Sequence, residues 1–147
     1  MNSWRIALVL FAACAPYQSG GVFQTANGSR SFECLDLNAA PTLDHGRSWI
    51  VIRYTFGNPC RYAAPIDLSA IRVRATHGDS GARLPAFDPR DELRPASLDG
   101  RRQAEELIAY EIPPNLVGRT LNVCVTLSDV AQSEELIEDY CFNWEAD

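Results

Sequence analysis

Chemistry near neutral pH usually starts from an imidazole, and this chain has only two, His45 and His77. Asp44-His45-Gly46 precedes a strand-like run, and His77-Gly78-Asp79 has the composition of a turn. A serine nucleophile on a strand-to-helix elbow needs the pattern G-x-S-x-G. The nearest approach is Gly78-Asp79-Ser80-Gly81, one residue short. Asp88, Asp91, Glu92 and Asp99 could offer oxygens to calcium, but they lack EF-hand spacing. They also alternate with Arg90, Arg94, Arg101 and Arg102, as a solvated mixed-charge loop does. All 13 basic residues are arginine, so no lysine can form a Schiff base, grip a P-loop phosphate or act as a base. The expectation is a chain with no catalytic residue, no cofactor and no metal site.

The cysteines carry more information. Cys14 ends an apolar run, Ile6-Ala7-Leu8-Val9-Leu10-Phe11-Ala12-Ala13, that follows a short positive segment, Met1 to Arg5. Eight apolar residues are too few for a helix across a hydrocarbon core of about 30 Å, but they suit the hydrophobic region of a signal peptide. Leu10-Phe11-Ala12-Ala13-Cys14 resembles the lipobox of bacterial lipoprotein signals, in which the cysteine is lipidated and becomes the first residue. Ordinary signal-peptidase cleavage near Ala13-Cys14-Ala15 is the competing reading, and it would leave Pro16 beside the new terminus. Residues 1–13 are therefore expected to be a lipoprotein signal peptide, with lipidation at Cys14. Residues 14–31, rich in Gly, Ser and Asn, read as a flexible tether, and 32–147 as the folded domain. Ala15 stands where an Asp would retain a Gram-negative lipoprotein at the inner membrane, so the resemblance implies the outer membrane.

With Cys14 assigned to lipid, Cys34, Cys60, Cys124 and Cys141 form an even set, as an oxidising envelope compartment favours. Scattered spacing with no C-x-x-C argues against zinc. Four cysteines allow three connectivities. Cys124 and Cys141 both oppose the apolar face of their strands, which are consecutive, so they can meet across a hairpin. That leaves Cys34 for Cys60.

These residues need a scaffold, and the hydrophobic pattern describes one. Period-two alternation recurs at 32–38, 48–56, 70–76, 106–112, 120–128 and 139–144, with 83–87 as a further strand. Asn58-Pro59, His77-Gly78-Asp79, Pro113-Pro114-Asn115 and the polar stretch 128–138 punctuate them. The pattern predicts an all-β fold, an immunoglobulin-like antiparallel β-sandwich of about seven strands.

Residues 50–58 (Ile-Val-Ile-Arg-Tyr-Thr-Phe-Gly-Asn) followed by 64–73 (Ala-Pro-Ile-Asp-Leu-Ser-Ala-Ile-Arg-Val) resemble the telokin-like immunoglobulin-like domain of bacterial secreted lipoproteins. The later Leu93-Arg94-Pro95, Gly100 and Tyr110-Glu111-Ile112-Pro113 resemble its loop and its strand ending in proline. The likeness spans roughly residues 32–128, and departs from the family at Gly57 and in its extra cysteines. It implies fold and location, since the family's own function is obscure.

A net charge of -6 disfavours nucleic acid as a partner. Arg53, Arg72 and Arg74 occupy outward strand positions expected to lie near one another. Arg90 and Arg94 belong to a long, charged segment, 88–103, of the kind that carries recognition. These five are the candidate partner-binding residues. The expected function is a non-catalytic binding or scaffolding module of the cell envelope, held to a membrane by its lipid and facing another envelope protein. The alternatives are an inhibitor that blocks a secreted hydrolase with an exposed loop, and a small hydrolase that uses one of the histidines.

Overall fold

The computed structural model describes residues 30–32, 34–87, 95–130 and 138–145. Alternating apolar residues make strands, and ten occur among the described residues. They are β1 (Arg30–Phe32), β2 (Leu35–Gly46), β3 (Trp49–Gly57), β4 (Ala64–Asp67), β5 (Arg72–His77), β6 (Ser80–Arg83), β7 (Pro95–Leu98), β8 (Gln103–Glu111), β9 (Leu121–Thr126) and β10 (Tyr140–Trp144). All pair antiparallel, in one sheet ordered β1-β2-β3-β8, a second ordered β10-β9-β5-β6, and a ribbon of β4 with β7. The fold is all-β, an antiparallel sandwich.

Both sheets feed one core. Leu37, Ile50, Ile52, Tyr54, Phe56 and Ile108 come from the first, and Val73, Ala75, Leu121, Val123, Val125 and Tyr140 from the second. Burying side chains of this size is worth about 1.5–3 kcal/mol each, which is why the alternation fixes the strand register. The Tyr140 hydroxyl reaches across the gap and donates to Leu37 O at 2.6 Å.

Six of the expected strands are present with shifted ends, the largest shift being at β2, which runs on to Gly46 rather than stopping at 38. The strand expected at 83–87 gives way to β6 at 80–83, which shares only Arg83 with it, and Ala86 makes an isolated bridge to Tyr110. Gly78 adopts φ +57°, a conformation glycine tolerates, so the chain reverses in two residues and His77 pairs with Ser80. The additional strands are short. β1 is three residues long, and β4 and β7 each contain a proline that masks a strand signal. Pro65 is tolerated because a two-stranded ribbon leaves outer edges unpaired. The segment 88–103 is accordingly not one long loop, since β7 lies within it. Strand β2 also departs from simple alternation. Asp36 and Asn38 face away from Leu35 and Leu37, yet all four are buried.

The Tyr54 and Tyr110 hydroxyls share a buried hydrogen bond of 2.7 Å. Burial, together with the facing Tyr110, raises the Tyr54 pKa well above its ordinary value of 10.0. A raised folded-state pKa means that this stabilisation is whole below about pH 10 and is lost as pH climbs beyond it. Chemical denaturation should therefore show a midpoint that falls above about pH 10. Tyr54→Phe should flatten that fall, and an unchanged alkaline slope in the variant would assign it elsewhere.

Candidate functional site

The two histidines lie in different sheets. His45, in β2, stands edge-on to the Trp144 ring, with centroids 5.7 Å apart and planes at 81°. His77 ends β5, and its Nδ1 lies 2.8 Å from Thr120 O. Both rings thus fasten strand ends. No three His, Cys, Asp or Glu side chains gather as a metal would require among the described residues.

The thiols join as their strand positions indicate. Cys124 and Cys141 face each other in the β9–β10 register and are bridged. Cys34, just before β2, is bridged to Cys60 in the loop after β3. Closing loops of 26 and 17 residues should stabilise by roughly 3–4 kcal/mol each in the chain-entropy model. Asn58 shapes that loop from a fully buried position: Nδ2 donates to Tyr62 O at 2.7 Å and Leu98 O at 2.9 Å, and Oδ1 accepts from Cys60 N at 2.9 Å. The Tyr62 hydroxyl lies 3.0 Å from Cys34 Sγ. Cys14 lies outside the described residues.

The arginines separate into two groups. Arg53 is not a neighbour of Arg72 and Arg74, because β3 and β5 belong to opposite sheets. The strands that pair with β3 are β2 and β8, and there Arg53 meets Glu105, Nε to Oε1 3.4 Å, with both side chains about half exposed. An exposed pair like this contributes little. Arg90 and Arg94 lie outside the described residues. Arg72 and Arg74 do share the outer face of β5, and the fold adds Arg83, directly opposite Arg74 on β6. The sequence pattern placed Arg83 at the start of a strand and gave no sign of its partner. The hairpin register supplies it.

Arg72 Nη1 donates to Ser69 O at 2.6 Å and to Ile71 O at 3.0 Å, so backbone carbonyls hold that cation. Asp67 caps the 3-10 turn Leu68–Ala70 that presents the Ser69 carbonyl, accepting from Ser69 N at 3.0 Å. Arg74 and Arg83 bond to no carboxylate among the described residues. Gly81 lies opposite Thr76 on the same face, where a Cβ would crowd Thr76 Cγ2 at 3.2 Å and stand 4.0 Å from Arg74 Nη2. Below the same strand, Leu68, Ile71, Leu84, Ala86, Ile108 and Tyr110 line a cleft with Ser69 and Arg83. Its volume of about 120 Å³ falls short of the roughly 300–1,000 Å³ of small-molecule sites. It approaches the roughly 150 Å³ that accepts a benzene ring.

Like charges directly opposite on paired strands repel. Arg83→Glu should therefore raise stability by about 0.2–1 kcal/mol through a pair with Arg74, read from the urea midpoint. A lower midpoint would mean that Arg83 already has a stabilising role.

No family model matches the chain, and no curated protein matches it in sequence. Among solved structures, it is similar to an uncharacterized β-sandwich protein of Clostridium difficile 630, with TM-score 0.48, 9% identity, and 82% of this chain and 92% of that one covered. It is similar to the yjhA protein of Bacillus subtilis, with TM-score 0.46, 10% identity, and 81% and 96% covered. It is similar too to a candidate lipoprotein of Bacillus subtilis, ycdA, with TM-score 0.44 and 13% identity, covering 80% of this chain and 38% of that one. The fold itself stands on the strand pairing and the shared core: this chain is a two-disulfide antiparallel β-sandwich.

Proposed function

We propose that the chain is a non-catalytic binding module of the bacterial cell envelope, exported and held to a membrane by a lipid on Cys14. The observation that carries this reading is the pair of disulfides, Cys34–Cys60 and Cys124–Cys141, which suits a protein folded in an oxidising compartment. The structural engagement of His45 and His77 and the small cleft favour binding over hydrolysis. The telokin-like immunoglobulin-like likeness belongs with this reading, as does sorting to the outer membrane from Ala15. The partner is another envelope protein, and the module needs no cofactor.

Two experiments test it. Cys14→Ser should abolish palmitate labelling and release the protein from the outer-membrane fraction. A wild-type chain that takes no label and fractionates without membrane would refute the anchor. Replacing His45 and His77 together with glutamine should leave the set of envelope proteins crosslinked to the chain unchanged. Loss of those crosslinks from a variant with native circular dichroism would favour a histidine-dependent hydrolase.

A further inference from the structure

Strand β6 joins three properties that together describe one ligand. It ends the sheet order β10-β9-β5-β6, so among the described residues its outer edge over Ser80–Arg83 has no partner strand. The chain just beyond it pairs with β8, Glu111 N to Pro85 O at 3.0 Å and Phe87 N to Ala109 O at 2.7 Å. Edge N–H and C=O groups of this kind can pair with an incoming chain. The solvent side of β6 presents Arg83 directly opposite Arg74. Its inward side leads at Leu84 into the cleft walled by Ile71 and Ile108, which Ser69 and Arg83 also line. A strand laid along β6 would send successive side chains to opposite sides, with residues on one side recurring about every 6.8 Å. We propose that β6 accepts an extended peptide by strand addition. The peptide is acidic at the positions facing Arg74 and Arg83 and aliphatic at the alternate positions facing the cleft. This deepens the binding-module reading and rests on it, since it names the partner's chemistry.

Charge on an edge strand commonly guards against unwanted sheet joining, and Arg83 alone would fit that role. A guard does not account for Arg74, which sits one strand inward on β5 and faces Arg83 at a repulsive register. Nor does a guard account for apolar surface beside the same strand. Among the described residues neither guanidinium meets a carboxylate, and each fork can take one in two parallel hydrogen bonds. An anionic membrane fits less well. It would meet a chain of net charge -6 and leave unfilled a cleft sized for a single aliphatic side chain.

Fluorescence anisotropy on the full chain in detergent tests the proposal with a labelled peptide of alternating Glu and Val. The comparison peptides carry the same residues in two blocks, or bear methyl groups on the backbone nitrogens that would face β6. The alternating peptide should bind, and both comparison peptides should bind at least about tenfold more weakly. Arg83→Glu should lower affinity for the alternating peptide about tenfold while leaving the folded domain no less stable, which separates lost recognition from lost folding. The proposal fails if the block peptide binds equally, if Arg83→Glu leaves affinity unchanged, or if no peptide binds. It fails likewise if phosphatidylglycerol vesicles or inorganic phosphate displace the alternating peptide. A chain that takes palmitate at Cys14 but binds no peptide would refute the β6 surface and leave the membrane-held module standing.

Discussion

Asn58 holds the corner on which the sandwich turns. Its side chain binds three backbone groups, and its own N–H donates to Arg102 O at 2.8 Å. Buried amide groups are costly unless bonded, and here the bonds join the loop after β3 to the segment between β7 and β8. The same corner admits no side chain at Gly100, whose Cβ would overlap the Arg61 carbonyl. It also holds Arg101 at φ 60°, with its N–H on Cys60 O at 2.9 Å. Non-glycine residues seldom adopt that conformation, and they persist in it where surrounding contacts determine them. With the loop fixed, Cys60 is presented to Cys34, and the β3–β8 ladder ends in register at Gly57 and Gln103.

The two outer sheet faces solve their charges differently. On the first sheet Arg53 has Glu105 within reach, on a neighbouring strand. On the second, one row runs Arg83, Arg74, Cys124, Cys141 across four strands, two cations followed by a disulfide. The covalent bridge fastens β9 to β10 at the register where the arginines strain β5 against β6. Positions that sacrifice local stability are where recognition tends to reside.

Much of this was legible in the chain. Alternation located six of the principal strands, because a half-buried strand must repeat every second residue. Cys124 with Cys141 followed from shared orientation on consecutive strands. What escaped was set by contacts distant in sequence. β4 and β7 are four residues each with a proline apiece, and they become strands by pairing with each other and covering the core with Ile66 and Leu98. Asp36 and Asn38 read as a wet face and are buried. Arg53 aligned by pattern with Arg72 and Arg74, but residue periodicity says which face a side chain takes, never which sheet. Arg83 met Arg74 only because Gly78 turns the chain in two residues.

That hairpin geometry also governs the order in which the molecule can assemble. The β2–β3 and β5–β6 reversals are two-residue connections, and local hairpins form within roughly 1–10 μs. The pairings that close each sheet are remote: Arg53 lies opposite Leu107, and Val73 opposite Val125. Each must bring together ends separated by a long intervening chain, and such non-local closure slows folding into the millisecond-to-second range. The Cys34–Cys60 crosslink spans the β2–β3 hairpin and leaves the 58–102 loop that β8 must close at its full length. Folding of this sandwich is therefore timed by its long-range strand pairings, and the disulfides fasten what those pairings have brought together.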